Sequence, residues 1–270
     1  MQLKIFVISM KKSTERRLRI STALSSMGLA FEIVDAVDGR CLPPMLHARP
    51  GGECPATHGG APALLPGEIG CALSHVRCAR LIEEQGLAGA IILEDDAIPL
   101  PPLRDFAFAF KASHPNYRPG SMIFLGGLED ESPKAFDRNR LIVRSLHRRI
   151  HLTHELSISK SIDSARFFLR ACAYYVDADS AKRLASFNVG PRTVADDWRL
   201  FAAEKVVENI YLLSRWAVRH PFERESASLL EPERMLKCGP QSEDRPLSSI
   251  NRQVKNVLRR PLRPLLALLW

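Results

Sequence analysis

Three consecutive carboxylates, Glu94-Asp95-Asp96, close the apolar run Gly89-Ala90-Ile91-Ile92-Leu93 of this 270-residue chain, and Ala97-Ile98-Pro99 follows at once. Acids this close repel one another, so the trio implies a cation. A divalent metal carrying a phosphorylated ligand suits hard oxygen donors grouped in this way. Alternate side chains of an extended chain point to opposite faces, which predicts that Glu94 and Asp96 share a face while Asp95 turns away. The plainer alternative is a polar strand end that caps the next element. A second acidic pair, Asp196-Asp197, stands before Trp198 at a predicted loop-to-helix junction. A carboxylate there serves either as a general base or as a helix N-cap. Ser74-His75, inside a predicted helix, either face a ligand or belong to a tightly packed helix with a core histidine.

Side chains of this kind need rigid elements to aim them. Residues 2–9 read as a strand, a basic helix is expected from Lys11 to Met27 with Gly28 as its stop, and residues 31–35 alternate as a second strand before the turn pair Asp38-Gly39. This βαβ spacing opens a nucleotide-binding α/β fold. Residues 43–66, rich in Pro and Gly, read as a surface loop; His47, Cys54 and His58 within it match no standard zinc spacing. A helix is expected from Pro66 to Glu84, its Gly67 and Gly70 allowing close approach to a ligand or the sheet, with Cys71 and Cys78 on one packed face. The carboxylate strand comes next, and open α/β sheets place ligands beyond the carboxyl ends of such strands. Residues 121–127 predict another buried strand whose closing glycines let the backbone approach a ligand. After a basic insertion over 127–168, residues 172–177 return to strand. Asp179 or Ser180 then caps a helix to Phe187, and residues 210–213 form a late strand.

The net charge of +8 is unevenly placed. Residues 138–170 hold eight Lys/Arg against Glu155 and Asp163, and the stretch from Arg252 onward holds five with no acid. Two basic attachments on a near-neutral core are not the footprint of a uniformly basic nucleic-acid binder, so no nucleic-acid partner is expected. The six cysteines form no CxxC pair and read as reduced thiols of a cytosolic protein. No signal peptide or bilayer-length apolar run is evident. The chain divides into a domain over 1–225 and a C-terminal segment over 226–270. In the latter, Ile250, Val254, Val257 and Leu258 fall on one helical face and Arg252, Lys255 and Arg259 on the other, before an apolar end at Trp270. Such a basic amphipathic segment over 248–270 suits an anionic inner-membrane surface, or else docks on the protein's own core.

Several segments carry a family resemblance. They are Ile5-Phe6-Val7-Ile8-Ser9 with Glu15-Arg16-Arg17, Phe31 through Gly39, Gly67-Glu68-Ile69-Gly70-Cys71-Ala72-Leu73-Ser74-His75, Leu93-Glu94-Asp95-Asp96 and, more weakly, Ala171 through Ala181 and Val194-Ala195-Asp196-Asp197. In this order, over most of residues 1–225, they resemble glycosyltransferase family 25, the lipooligosaccharide and lipopolysaccharide galactosyltransferases of Gram-negative bacteria. The resemblance implies an α/β fold of GT-A type, a Rossmann-like mixed sheet flanked by helices. It implies Mn²⁺ or Mg²⁺ on Asp96 with Glu94, binding the diphosphate of a UDP-hexose such as UDP-galactose. Ser9, Arg16, Ser74, His75, Glu94 and Asp95 would meet the donor, and Asp197 or Asp196 would be the base of a single inverting displacement. The implied acceptor is a lipid-linked core oligosaccharide, and the implied location is the cytoplasmic face of the bacterial inner membrane. Glu-Asp-Asp replaces the more usual Asp-x-Asp, which leaves the role of the first position open. Two other classes compete: a metal-dependent sugar-phosphate phosphohydrolase, whose nucleophile partners Ala97 and Ile98 do not supply, and a non-catalytic protein binding anionic glycan or nucleic acid.

Overall fold

The computed structural model describes residues 2–43, 64–127, 143–145, 149–162, 165, 168 and 170–221. The C-terminal segment over 226–270, most of the two insertions, and His47, Cys54 and His58 lie outside the described residues. Among the described residues no helix is long and apolar enough to cross a membrane.

The chain opens as β1 (Lys4–Ser9), α1 (Thr14–Ser26) and β2 (Glu32–Asp35), followed by a 3₁₀ turn (Gly39–Cys41) and α2 (Pro66–Glu84). It continues through β3 (Gly89–Glu94), β4 (Ile98–Pro99), α3 (Pro102–Ala109), β5 (Ser121–Phe124), β6 (Val143–Arg144), β7 (Ile150–His151) and β8 (Ser157–Ile162). Last come β9 (Ala173–Asp177), α4 (Ala178–Phe187), α5 (Trp198–Ala203), β10 (Asn209–Leu213) and β11 (Val218–Arg219). The main sheet runs β2-β1-β3-β9-β5-β10-β8-β6, with β7 on β8, while β4 and β11 form a separate two-stranded sheet. β1 lies parallel to both β2 and β3, and β9 runs antiparallel between β3 and β5. This is the expected Rossmann-type mixed sheet flanked by helices.

Strand alternation builds a core on each face. Phe6 and Ile8 of β1, Ile92 of β3 and Tyr174 of β9 pack with Cys78 and Ile82 of α2 and with Trp198 and Phe201 of α5. Ile5 and Val7, Ile91 and Leu93, and Tyr175 pack with Ile20 and Leu24 of α1 and with Phe106 of α3. A period of two in every central strand thus covers both faces with helices, as a sheet with parallel βα units requires.

Several local expectations are corrected. α1 begins at Thr14 rather than Lys11, because residues 11–12 form a turn closed by the Ser13 amide on the Met10 carbonyl (2.9 Å). α4 is capped by Asp177, not by Asp179 or Ser180: the last β9 residue accepts the Ser180 amide at 2.9 Å while its other oxygen accepts the Ser121 amide at 2.8 Å. β5 stops at Phe124, and the glycines after it approach other parts of the chain itself, Gly126 the backbone at Val218 and Gly127 the Cys172 side chain. A Cβ on Gly126 would lie 1.8 Å from the Val218 carbonyl oxygen. Gly70 likewise sits against the turn after β2, where a Cβ would lie 2.5 Å from the Val37 oxygen.

Candidate active site

The sheet topology gathers the chemistry. β1, β2 and β3 are parallel, so Ser9, Asp35 and Glu94 leave the sheet at one end. Antiparallel β9 enters at that same end, since Ala173 pairs with Leu93, and residues 170–172 therefore face the acidic segment. The small β4–β11 sheet, pairing Arg219 with Ile98, then brings His220 over the acids.

Beyond Glu94 the chain turns, with the Ala97 amide donating to the Glu94 carbonyl at 3.1 Å. Asp95 and Asp96 thus occupy a tight turn, and the expected strand alternation stops at Glu94. Asp95 is buried and accepts from Ser9 Oγ (2.6 Å) and from Arg16 Nη1 (3.3 Å). Arg17 fastens this corner by donating from Nη2 to the Ser9 carbonyl (2.8 Å) and to Asp35. Asp96 Oδ2 lies 3.8 Å from Arg16 Nη1 and 3.9 Å from His220 Nε2. Its Oδ1 is buried and has no hydrogen-bond partner among the described residues. Burial, then the charge of Glu94, push the Asp96 carboxyl up to about 7. A buried carboxylate oxygen without a donor, beside two further carboxylates, is an oxygen-donor set short of positive charge, and a divalent cation fits it.

His220 strengthens that fit. Its Nδ1 is 2.7 Å from the Pro221 carbonyl oxygen, an acceptor only, so the ring proton is assigned to Nδ1. Burial, then the charge of Arg170, lower its pKa, which favours a neutral ring with a bare Nε2 turned toward Asp96. A histidine whose second nitrogen donates to a backbone carbonyl is the usual form of a metal ligand.

On the α2 side, His75 is buried and uses both ring nitrogens, Nδ1 with Tyr174 Oη (2.8 Å) and Nε2 with Glu94 Oε1 (3.1 Å). Cys71 Sγ, one helical turn earlier, lies 3.8 Å from the same Glu94 oxygen. Burial alone would raise the Glu94 pKa, but the hydrogen bond and charge of His75 outweigh it and hold the carboxyl below its ordinary value. Burial, then the charges of Glu94 and Asp196, push the Cys71 thiol well up. Ser74 is elsewhere: its hydroxyl donates to the Gly70 carbonyl (2.6 Å) and accepts the Val37 amide (2.9 Å), so it ties α2 to the turn after β2.

The second acidic pair divides. Asp197 is the N-cap of α5, accepting the Leu200 amide on one oxygen (3.1 Å) and the Thr193 hydroxyl on the other (2.6 Å). Asp196 accepts the Arg170 amide at 2.8 Å, and its charge contributes to raising the Cys71 thiol. Arg170 itself has a left-handed backbone, φ 65°. Three contacts hold it there: the Asp196 carboxylate on its amide, Trp198 Nε1 on its carbonyl (3.0 Å), and its guanidinium on the Gly127 carbonyl (3.3 Å). A non-glycine residue in this region costs on the order of 1–2 kcal/mol, and such strain concentrates at functional sites.

The structure therefore brings Ser9, Arg16, His75, Glu94, Asp95, Asp96 and Asp196 to one end of the sheet, and gives Ser74 and Asp197 fastening contacts. Sequence reading did not single out Arg170, Tyr174 or His220. The i, i+4 spacing of Cys71 and His75 was a usable signal for a shared face. No local pattern marks His220, whose place depends on the β4–β11 pairing.

Comparison with known proteins bears on the family. A family model described as "Glycosyltransferase family 25 (LPS biosynthesis protein)" matches residues 2–197. The mouse "Inactive glycosyltransferase 25 family member 3" is 34% identical over 99 residues, covering 34% of this chain and 16% of that protein. A "Glycosyltransferase 25 family member" of Drosophila melanogaster is 32% identical over 142 residues, covering 50% of this chain and 23% of its own length. Zebrafish "Procollagen galactosyltransferase 1" is 32% identical over 99 residues, 34% of this chain and 16% of that one. The chain thus spans under a quarter of the length of these curated relatives. A solved glycosyltransferase involved in glycosylating the major capsid of PBCV-1 overlaps 78% of this chain and 92% of its own at TM-score 0.35 and 11% identity. The family match ends at Asp197 and takes in α2 and the acidic segment of the sheet end, and the chain belongs to glycosyltransferase family 25.

Proposed function

We propose that the chain transfers a hexose, galactose from UDP-galactose in the first instance, onto a saccharide of a lipid-linked lipooligosaccharide or lipopolysaccharide core. The observation that carries this is Asp96 Oδ1, a buried carboxylate oxygen just beyond the end of β3 with no partner among the described residues, with His220 Nε2 turned toward the same side chain. Mn²⁺ or Mg²⁺ would be held by Asp96 with Glu94, joined by His220, and when bound supplies Lewis-acid neutralisation of a departing diphosphate. The chain's own groups do the rest. Arg16, already between Asp95 and Asp96, and Arg170, whose charge reaches His220, would place positive charge where a departing diphosphate develops negative charge. His75 and Tyr174 hold Glu94 in one orientation. Asp196, whose carboxylate holds the Arg170 amide at the end of the sheet where the acids gather, takes the proton from the acceptor hydroxyl in a single inverting displacement. The basic segment over 248–270 keeps the protein on the cytoplasmic face of the inner membrane, where its acceptor is built.

UDP-sugars supplied one at a time with Mn²⁺, with and without a truncated core acceptor, test the proposal through UDP release. Acceptor-dependent release from UDP-galactose is the expected result, and no release from any UDP-sugar would refute it. A second reading, binding without transfer, draws on the relatives named inactive. It predicts Mn²⁺-dependent UDP binding with no turnover.

A further inference from the structure

We propose that Cys71, His75 and Glu94 form a second metal site, for a thiophilic divalent ion such as Zn²⁺, which adjoins the oxygen-donor site at Asp96 and shares Glu94 with it. Cys71 and His75 stand one turn apart on α2, and Glu94 ends β3 opposite them. His75 Nε2 is 3.1 Å and Cys71 Sγ 3.8 Å from the same Glu94 oxygen, and all three ligand atoms lie within 4.8 Å of one another. Zinc–ligand bonds of about 2.0–2.3 Å in tetrahedral array put neighbouring ligand atoms about 3.3–3.6 Å apart. The two edges to Glu94 lie on either side of those values, and the Cys71–His75 edge, within 4.8 Å, closes by a small side-chain adjustment.

The surroundings are those of a metal-ready histidine. Tyr174 Oη, 2.8 Å from Nδ1, fixes the ring from its far side, and the two rings stack with centroids 5.7 Å apart. A bound metal takes the place of the Nε2 proton that His75 shares with Glu94, while the ring keeps a proton on Nδ1 toward Tyr174 Oη. Asp96 and Asp196 add negative charge around the thiol. The donor types separate the two sites: sulfur, imidazole nitrogen and one carboxylate select Zn²⁺ over the Mg²⁺ or Mn²⁺ that carboxylates prefer. Binding is a balanced exchange without redox change. The Cys71 S–H and His75 Nε2–H bonds break, sulfur–metal and nitrogen–metal bonds form, and both protons leave to solvent; a vacant tetrahedral position remains for water.

The site stands whether or not the chain transfers sugar, so its test is spectroscopic. The intact chain is loaded with Zn²⁺ and, separately, with Co²⁺. Expected are one tightly held ion per chain, a zinc-edge absorption spectrum with one sulfur in the coordination shell, and a thiolate-to-cobalt charge-transfer band. Cys71→Ser, nearly isosteric, loses that band, and Tyr174→Phe keeps it while weakening Zn²⁺ affinity about 10–100-fold. A zinc shell with no sulfur, or a cobalt–thiolate band that survives Cys71→Ser, overturns the proposal. The zinc-edge measurement needs only the wild-type chain, so misfolding of a variant does not leave the question open. Mn²⁺-dependent UDP binding, read in parallel, reports on the transferase proposal separately.

Discussion

Replacing Asp96 with Asn is expected to stabilise the metal-free protein while abolishing its response to Mn²⁺. The Asp96 side chain is only 14% exposed. It is faced by Glu94 and Asp95 from its own segment, by Arg16 and Arg19 from α1, and by His220 after β11. Burial, then the charge of Glu94, raise its carboxyl from 3.8 to about 7. In the unfolded chain the group ionises at the lower value and in the folded chain at the higher one. Across that interval the unfolded form gains a favourable ionisation that the folded form lacks. Wild-type stability therefore falls as pH rises from about 4 to about 7, and levels off above. At about 1.4 kcal/mol per pH unit, the interval corresponds to roughly 4 kcal/mol. Asn keeps the shape without the charge, though its amide needs partners of its own, so a gain of about 2–4 kcal/mol above pH 7 is expected. For a chain of this size that raises Tm by roughly 5–15 °C.

The assay is thermal unfolding of both proteins in chelator across this pH range, repeated with Mn²⁺ and UDP. Without metal the variant melts higher, and its advantage shrinks toward zero near pH 4. With ligand at 100 times its Kd the wild type gains about 2.7 kcal/mol and the variant gains nothing. A variant that melts at or below the wild type at pH 8 in chelator, or a difference that does not change with pH, refutes the charge-repulsion reasoning. A variant that still gains stability from Mn²⁺ refutes the assignment of Asp96 as ligand.

Asp196 and Asp197 should separate cleanly. Asp197→Ala loses a helix cap, at a cost of about 1 kcal/mol in chemical denaturation. Asp196→Asn lowers kcat for transfer about 100-fold or more, and undiminished turnover would remove it as the base. Gly70→Ala drives a methyl group into the Val37 carbonyl and the Gly39 backbone, and should lower stability by about 1–3 kcal/mol; an unchanged urea midpoint would contradict that packing. Deleting residues 248–270 should move the protein from the membrane fraction to the soluble one while sparing transfer to a soluble acceptor, and unaltered partitioning would refute the anchor.

What was legible in the sequence is what is encoded locally. α2 matches its expected bounds, Pro66–Glu84, because a proline at the first helical position and a capping Glu68 mark its start. β3 was legible because a buried strand reads as an unbroken apolar run. The same locality explains the misses. Alternation predicted that Asp95 would face away from Asp96, but alternation ends where the strand ends, and a turn at Asp95–Asp96 lets both reach Arg16. Gly126 and Gly127 were expected to let the backbone approach a ligand, but Gly126 is closed on by the chain itself, and nothing nearby in sequence says which part of it. The visitor is Val218, about ninety residues on, and its arrival carries His220 to the acids.

The charges of the acidic trio then decide which carboxylate is left to act. Asp95 has Ser9 and Arg16, and its burial is compensated by those hydrogen bonds. Glu94 has His75, which holds it ionised in one orientation. Asp96 shares Arg16 at a longer distance and keeps one oxygen unclaimed. Three acids and their shared cations do not balance at this corner, and the imbalance falls on the single residue that His220 faces. If the corner were only structural, exchanging Arg16 for Gln would destabilise it through Asp95 alone. If it is a cation site, the same exchange leaves Asp95 and Asp96 both uncompensated, and added Mn²⁺ should restore most of the lost stability. Loss without rescue would place the corner's purpose in folding rather than in ligand binding.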